Sequence, residues 1–120
     1  MGKKTINVHI DSLEGMGERF VAAWKAAEAG DRKNRSHITF LSLESFVSVM
    51  SPKRLQLLRQ LRREGLTSIR ALAGALRRDY KSVHGDVTLL ANAGLIERNK
   101  DGKISVTWDK VNAEMDLAAA

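Results

Sequence analysis

Three windows in the middle of the chain repeat their apolar residues at helical spacing, and the period then drops to two. Ser51-Pro52 pairs a capping hydroxyl with proline at a first helical position, and Leu55, Leu58 and Leu61 follow on one stripe until Gly65. Ser68 opens a second window, with Ile69, Leu72, Ala73 and Leu76 at i, i+3, i+4 and i+7. After the short joint Arg77-Arg78-Asp79, Asp79 caps a third helix from Tyr80 to about Ala93, with Val83, Val87 and Leu90 inward and Gly94 as its stop. The small residues Ala71, Ala73, Gly74 and Ala75 are expected to let the second and third helices approach closely. Beyond Gly94, Leu95-Ile96-Glu97 opens a strand. Asn99-Lys100-Asp101-Gly102 is a hairpin signal, and Ile104, Val106 and Trp108 alternate on the return.

The flanks are less regular. Residues 5–11, TINVHID, alternate as a strand. Ser12 opens a helix to about Ala29 with Leu13, Met16, Phe20, Ala23, Trp24 and Ala27 on one side, and Gly30 ends it. A polar connection, 30–36, precedes the short strand 37–41, and Ser42 caps a helix with Leu43, Phe46, Val47 and Met50 inward. Asp109 is expected to cap a last helix carrying Val111, Met115 and Ala118. The expectation is a mainly α chain with small β elements, an α+β fold in three parts. Residues 1–50 form a strand–helix–strand arm for dimerisation or partner binding. Residues 51–109 follow the helix–helix–helix–hairpin order of a winged helix-turn-helix, and 110–120 form a C-terminal helix.

Charge sharpens this picture. The net charge of the 120 residues is +6, and residues 51–81 hold nine basic side chains against two acidic ones, a local excess of +7. The rest of the chain, with eleven basic and twelve acidic groups, nearly cancels. A localised basic face is the footprint of a polyanionic partner. No apolar run is long enough to span a membrane. The basic helix 52–64 needs its apolar stripe for the core, which argues against a membrane-surface role. The absence of cysteine excludes disulfides and thiolate metal sites and suits a reducing cytoplasm, the expected location.

On a helical wheel, Lys81, Gly85 and Thr88 lie opposite Val83, Val87 and Leu90, with Ser82 and His84 on the flanks. One face could hold the helix to its domain while the other offers donors and acceptors to base edges in a major groove. Lys81, Ser82, His84, Gly85 and Thr88 are the candidates for base contact. Lys53, Arg70, Arg77, Arg78 and Tyr80 are placed for phosphate, and Arg98, Asn99, Lys100 and Lys103 form the wing. Gly85 in mid-helix costs about 1 kcal/mol; it either lets the helix sit deep in a groove or is simply tolerated. The scattered His9, His37 and His84 show no metal-ligand spacing, and no nucleophile elbow, phosphate loop or dinucleotide fingerprint occurs. The expectation is a binding protein with no catalytic residues, metal or cofactor.

The segments SPKRLQLLRQLRREG and SIRALAGALRRDYKSVHGDVTLLANAGLIERNKDGKISV resemble the winged helix-turn-helix of MarR- and ArsR-like bacterial regulators. DYKSVHGDV is similar to a family of small DNA-binding proteins described as antitoxin-type regulators, and the resemblance covers about residues 37–117. It implies a dimeric repressor that reads a near-palindromic operator, that of its own operon. The alternative it implies is an antitoxin that neutralises a cognate toxin by protein–protein binding, with DNA binding serving autoregulation. The family pattern has a basic residue where this chain has Gly85, which points away from base reading at that position. The apolar stripes of helices 12–29 and 109–118 are the candidates for a homodimer interface, with strand 5–11 open to exchange between subunits.

Overall fold

The computed structural model describes residues 4–10 and 37–117. Their elements are β1 (Thr5–Ile10), β2 (His37–Phe40), α1 (Leu43–Val49), α2 (Pro52–Glu64), α3 (Ile69–Leu76), α4 (Tyr80–Asn92), β3 (Glu97–Arg98), β4 (Ile104–Ser105) and β5 (Lys110–Met115). The result is a small α+β protein. The chain divides into two compact units, Met1–Val47 with Lys110–Ala120, and Ser48–Asp109. The helix expected over 12–29 lies outside the described residues.

In the first unit a parallel sheet runs β2-β1-β5, with β1 central. Its register sets Val8 beside Ile38 and Ala113, and Ile10 beside Phe40 and Met115, so one face is apolar. Ile6 and Val8 are buried. On the other face Asn112 Nδ2 donates to Asn7 Oδ1 at 3.3 Å, and the His9 ring lies 2.8 Å from His37 Nδ1 and 3.0 Å from Glu114 Oε1. The C-terminal helix expected from Asp109 is replaced by β5. Ala113, Glu114 and Met115 favour a helix locally, but Val111-Asn112-Ala113-Glu114-Met115 also alternates, and pairing with β1 along six residues decides the outcome. Asp109 instead accepts from Arg62 Nε at 3.2 Å, within the second unit.

The second unit is built from capped helices. Ser51 Oγ accepts from Arg54 N–H at 3.3 Å, Ser68 Oγ from Ala71 N–H at 3.0 Å, and Asp79 Oδ2 from Ser82 N–H at 3.1 Å. Each satisfies a donor that a helix N-terminus leaves open. Gly65 ends α2 at φ 73°, a left-handed conformation that glycine adopts freely. The core joins Leu57, Leu58 and Leu61 of α2, Leu72 and Ala73 of α3, and Val83, Val87 and Leu90 of α4 to Leu95, Ile96 and Ile104. Full burial of such side chains stabilises by about 1.5–3 kcal/mol each. The inward stripe of α2 is therefore Leu57–Leu58–Leu61, while Leu55 is only half-buried. A helix seated in a globular core buries adjacent rows at i+3 and i+4, not one line at i+3.

The return strand is shorter than the alternation Ile104–Val106–Trp108 suggests. Only Ile104–Ser105 pairs with Glu97–Arg98. Ile104 also exchanges both backbone hydrogen bonds with Thr67, at 2.8 and 3.0 Å, which anchors the hairpin to the loop before α3.

Candidate nucleic-acid interface

Helix α4 is amphipathic in the sense its sequence demands. Val83, Val87 and Leu90 have no exposed surface, whereas Lys81, Ser82, His84 and Gly85 are exposed. Thr88 is half-buried, and its Oγ1 accepts from Arg98 Nη2 at 3.0 Å, tying the hairpin to the helix. A Cβ placed on Gly85 would meet nothing within 4 Å, so no contact inside the chain requires glycine there.

Before α4, the turn of three residues carries the expected arginines, and they differ. Arg77 ends α3 in the left-handed region, at φ 53° and ψ 44°, and is exposed. Its N–H bonds Gly74 O, and Arg78 N–H bonds Ala73 O at 3.0 Å, which closes the helix end as a Schellman turn. Arg78 turns inward: its Nη2 donates to Asp86 Oδ2 at 2.7 Å. Asp86 Oδ1 accepts in turn from Arg54 Nε at 3.0 Å, and Arg54 Nη1 also donates to Ser48 O. One carboxylate of α4 thus bridges the first turn of α2 and the α3–α4 joint, with all three side chains at most about a quarter exposed. Arg78, expected at phosphate, has an internal partner instead. No local pattern announces this clamp. Asp86 sits between Gly85 and Val87 with no local pattern to mark it, and Arg54 reads as one more surface cation.

Arg70 and Tyr80 form the outer part of the same surface. The Arg70 guanidinium carbon lies 4.8 Å from the Tyr80 ring centroid, and the Tyr80 and His84 centroids are 5.9 Å apart. A cation over an aromatic face gains about 0.5–1 kcal/mol at exposed sites, so Arg70 steadies the Tyr80 ring that lies against His84. Lys53 is exposed at the start of α2. In the hairpin, Asn99 Oδ1 accepts from the N–H groups of Asp101 and Lys103 at 3.0 and 2.9 Å. Its carbonyl therefore shapes the loop, and Gly102 completes it at φ 78°. Lys100 and Lys103 are exposed at the tip. Of the small residues expected to let α3 and α4 approach, only Ala73 is buried; Ala71, Gly74 and Ala75 are exposed, and a Cβ on Gly74 would meet nothing within 4 Å. Leu72 of α3 and Val83 of α4 are fully buried.

Among the described residues no group of three His, Cys, Asp or Glu side chains could hold a metal ion, and no helix is long and apolar enough to cross a membrane. No curated protein and no solved structure matches the chain. The sequence profile of the HVO_A0114 family matches residues 49–113, which takes in α2, α3, α4 and the β3–β4 hairpin. That match spans more than half of the chain, and the chain belongs to the HVO_A0114 family.

Proposed function

We propose that this chain binds double-stranded DNA sequence-specifically, as a dimeric transcriptional repressor of its own operon. In this reading α2, α3, α4 and the hairpin act as a winged helix-turn-helix, with α4 as the recognition helix. The carrying observation is the division of α4, whose valines are fully buried while Lys81, Ser82, His84 and Gly85 face outward. A helix with one face anchored and the other open can enter a major groove about 12 Å wide. Exposed Lys53, Arg70 and Arg77 supply phosphate contacts, which fix register without reading sequence. Arg98, Lys100 and Lys103 reach the adjacent backbone or minor groove, and the Arg98–Thr88 hydrogen bond holds that arm at a set angle to α4.

Selection of bound sequences from random duplex DNA at physiological salt tests the reading. A near-palindromic motif is expected to emerge, and Lys81→Ala and His84→Ala are each expected to relax it at one position, at a cost of about 1–3 kcal/mol. Selected pools that remain random, or variants that select the parent's motif unchanged, refute it.

A further inference from the structure

Every residue of β5 is exposed, and β5 is an edge of the sheet formed among the described residues. A regular edge of six residues without proline is a template for another strand. One contact fixes which of its backbone groups point outward. Lys110 N–H donates to Lys4 O at 3.2 Å. Alternate residues of a strand face opposite neighbours, so Lys110, Asn112 and Glu114 bond toward β1, and the backbone groups of Val111, Ala113 and Met115 point to the open side. These are the residues whose register partners are Ile6, Val8 and Ile10, so their side chains share the apolar face. Val111 is 38 % and Met115 44 % exposed.

We infer that β5 pairs antiparallel with β5 of a second copy of this chain, about a two-fold axis at Ala113. Outward groups meet only when both facing residues are odd-numbered. The register centred on the apolar residues sets Ala113 opposite Ala113 and Val111 opposite Met115, each facing pair exchanging two hydrogen bonds. On the other face the same register sets Lys110 opposite Asp116 and Asn112 opposite Glu114. Apolar thus meets apolar and cation meets carboxylate, which is the self-complementarity a two-fold interface needs. A shift by two residues one way sets Lys110 against Glu114 but moves Met115 from Val111 to Asp109, and the other way sets Glu114 against Glu114, so only the register centred on Ala113 pairs every outward apolar residue with another and leaves no carboxylates facing. The two three-stranded sheets become one continuous six-stranded sheet. This pairing stands on the strand itself and holds whether or not the chain binds DNA.

Light scattering coupled to size exclusion at micromolar concentration is expected to give twice the chain mass of 13.3 kDa. Ala113→Pro removes an outward N–H and leaves the hydrogen bonds to β1 in place; it is expected to give a monomer with an unchanged far-ultraviolet circular dichroism spectrum. The chain has no cysteine, so Ala113→Cys supplies a single thiol. It faces its own copy at a Cα separation of about 5.5 Å, within disulfide reach. Oxidation is expected to link this variant into dimers and to leave Asn112→Cys unlinked. The cysteine pair decides the matter if the proline variant does not fold. A parent chain that is monomeric, a dimer that survives Ala113→Pro with its fold intact, or equal linkage at 112 and 113 overturns the inference.

Discussion

The guanidinium of Arg98 donates to the hydroxyl of Thr88 at 3.0 Å, joining the hairpin to the helix proposed to read DNA. Thr88 therefore orients a neighbour in addition to its proposed place at the groove. Thr88→Val keeps the shape and deletes the acceptor. A partly exposed hydrogen bond of this kind contributes about 0.5–1.5 kcal/mol, so the thermal midpoint is expected to fall slightly. Affinity is expected to fall by a similar factor on every DNA sequence, with base preference unchanged, as competition binding on a panel of single-base operator variants will show. A change of preference at one base pair would instead make Thr88 a reader.

Asp86 accepts from both Arg54 and Arg78, and none of the three is well exposed. Removing the carboxylate leaves two half-buried cations facing each other. Asp86→Ala is expected to cost about 2–4 kcal/mol in denaturant unfolding. The Arg54→Met and Asp86→Ala changes are expected to be strongly non-additive in a double-mutant cycle, since they share one network. Additive losses would show that the clamp is not an energetic unit.

Arg77 holds a left-handed conformation that costs a non-glycine residue about 1–2 kcal/mol. Glycine relieves this but widens the unfolded ensemble. Arg77→Gly is thus expected to stabilise the chain by about 0.5–1 kcal/mol. On DNA it is expected to weaken all sequences alike and to lower the log–log salt slope by about 0.9. A stability gain with affinity and slope untouched would place Arg77 away from phosphate.

Gly85 separates two explanations that its sequence position leaves open. Because a Cβ there meets open space, Gly85→Ala is expected to raise helix stability by about 1 kcal/mol. If α4 lies deep in the groove, the added methyl meets bases or backbone, and operator affinity is expected to fall at least tenfold despite the firmer helix. Calorimetry and binding on the same preparation check both halves. Unchanged affinity would mean that glycine is merely tolerated at this position.

Much of the second unit was legible because its signals are local. The caps Ser51, Ser68 and Asp79, the stops Gly65 and Gly94 and the hairpin glycine Gly102 each act within a few residues, and the structure uses all six. The buried face of α4 was equally readable from Val83, Val87 and Leu90. What escaped was non-local. Lys110–Met115 satisfies both the helical and the alternating pattern, and only its partner β1, at the other end of the chain, chooses between them. Likewise nothing near Asp86 announces Arg54, which lies 32 positions earlier. The spacing of Val83, Val87 and Leu90 is enough to say which face of α4 is open. The inward turn of Arg78 is not legible, because a basic residue in a turn carries no mark of which way its side chain will point.

The parallel pairing of β1 with β5 sets an order of events during synthesis. Asn7 and Asn112, which meet across that ladder, lie 105 positions apart. The unit Ser48–Asp109 is contiguous and rich in neighbouring contacts, so it can condense while the chain is still emerging. The central strand of the other unit must wait until about 105 further residues have been translated before its last neighbour arrives. A chain cut after Asp109 would hold the complete helical unit and a sheet with one side missing.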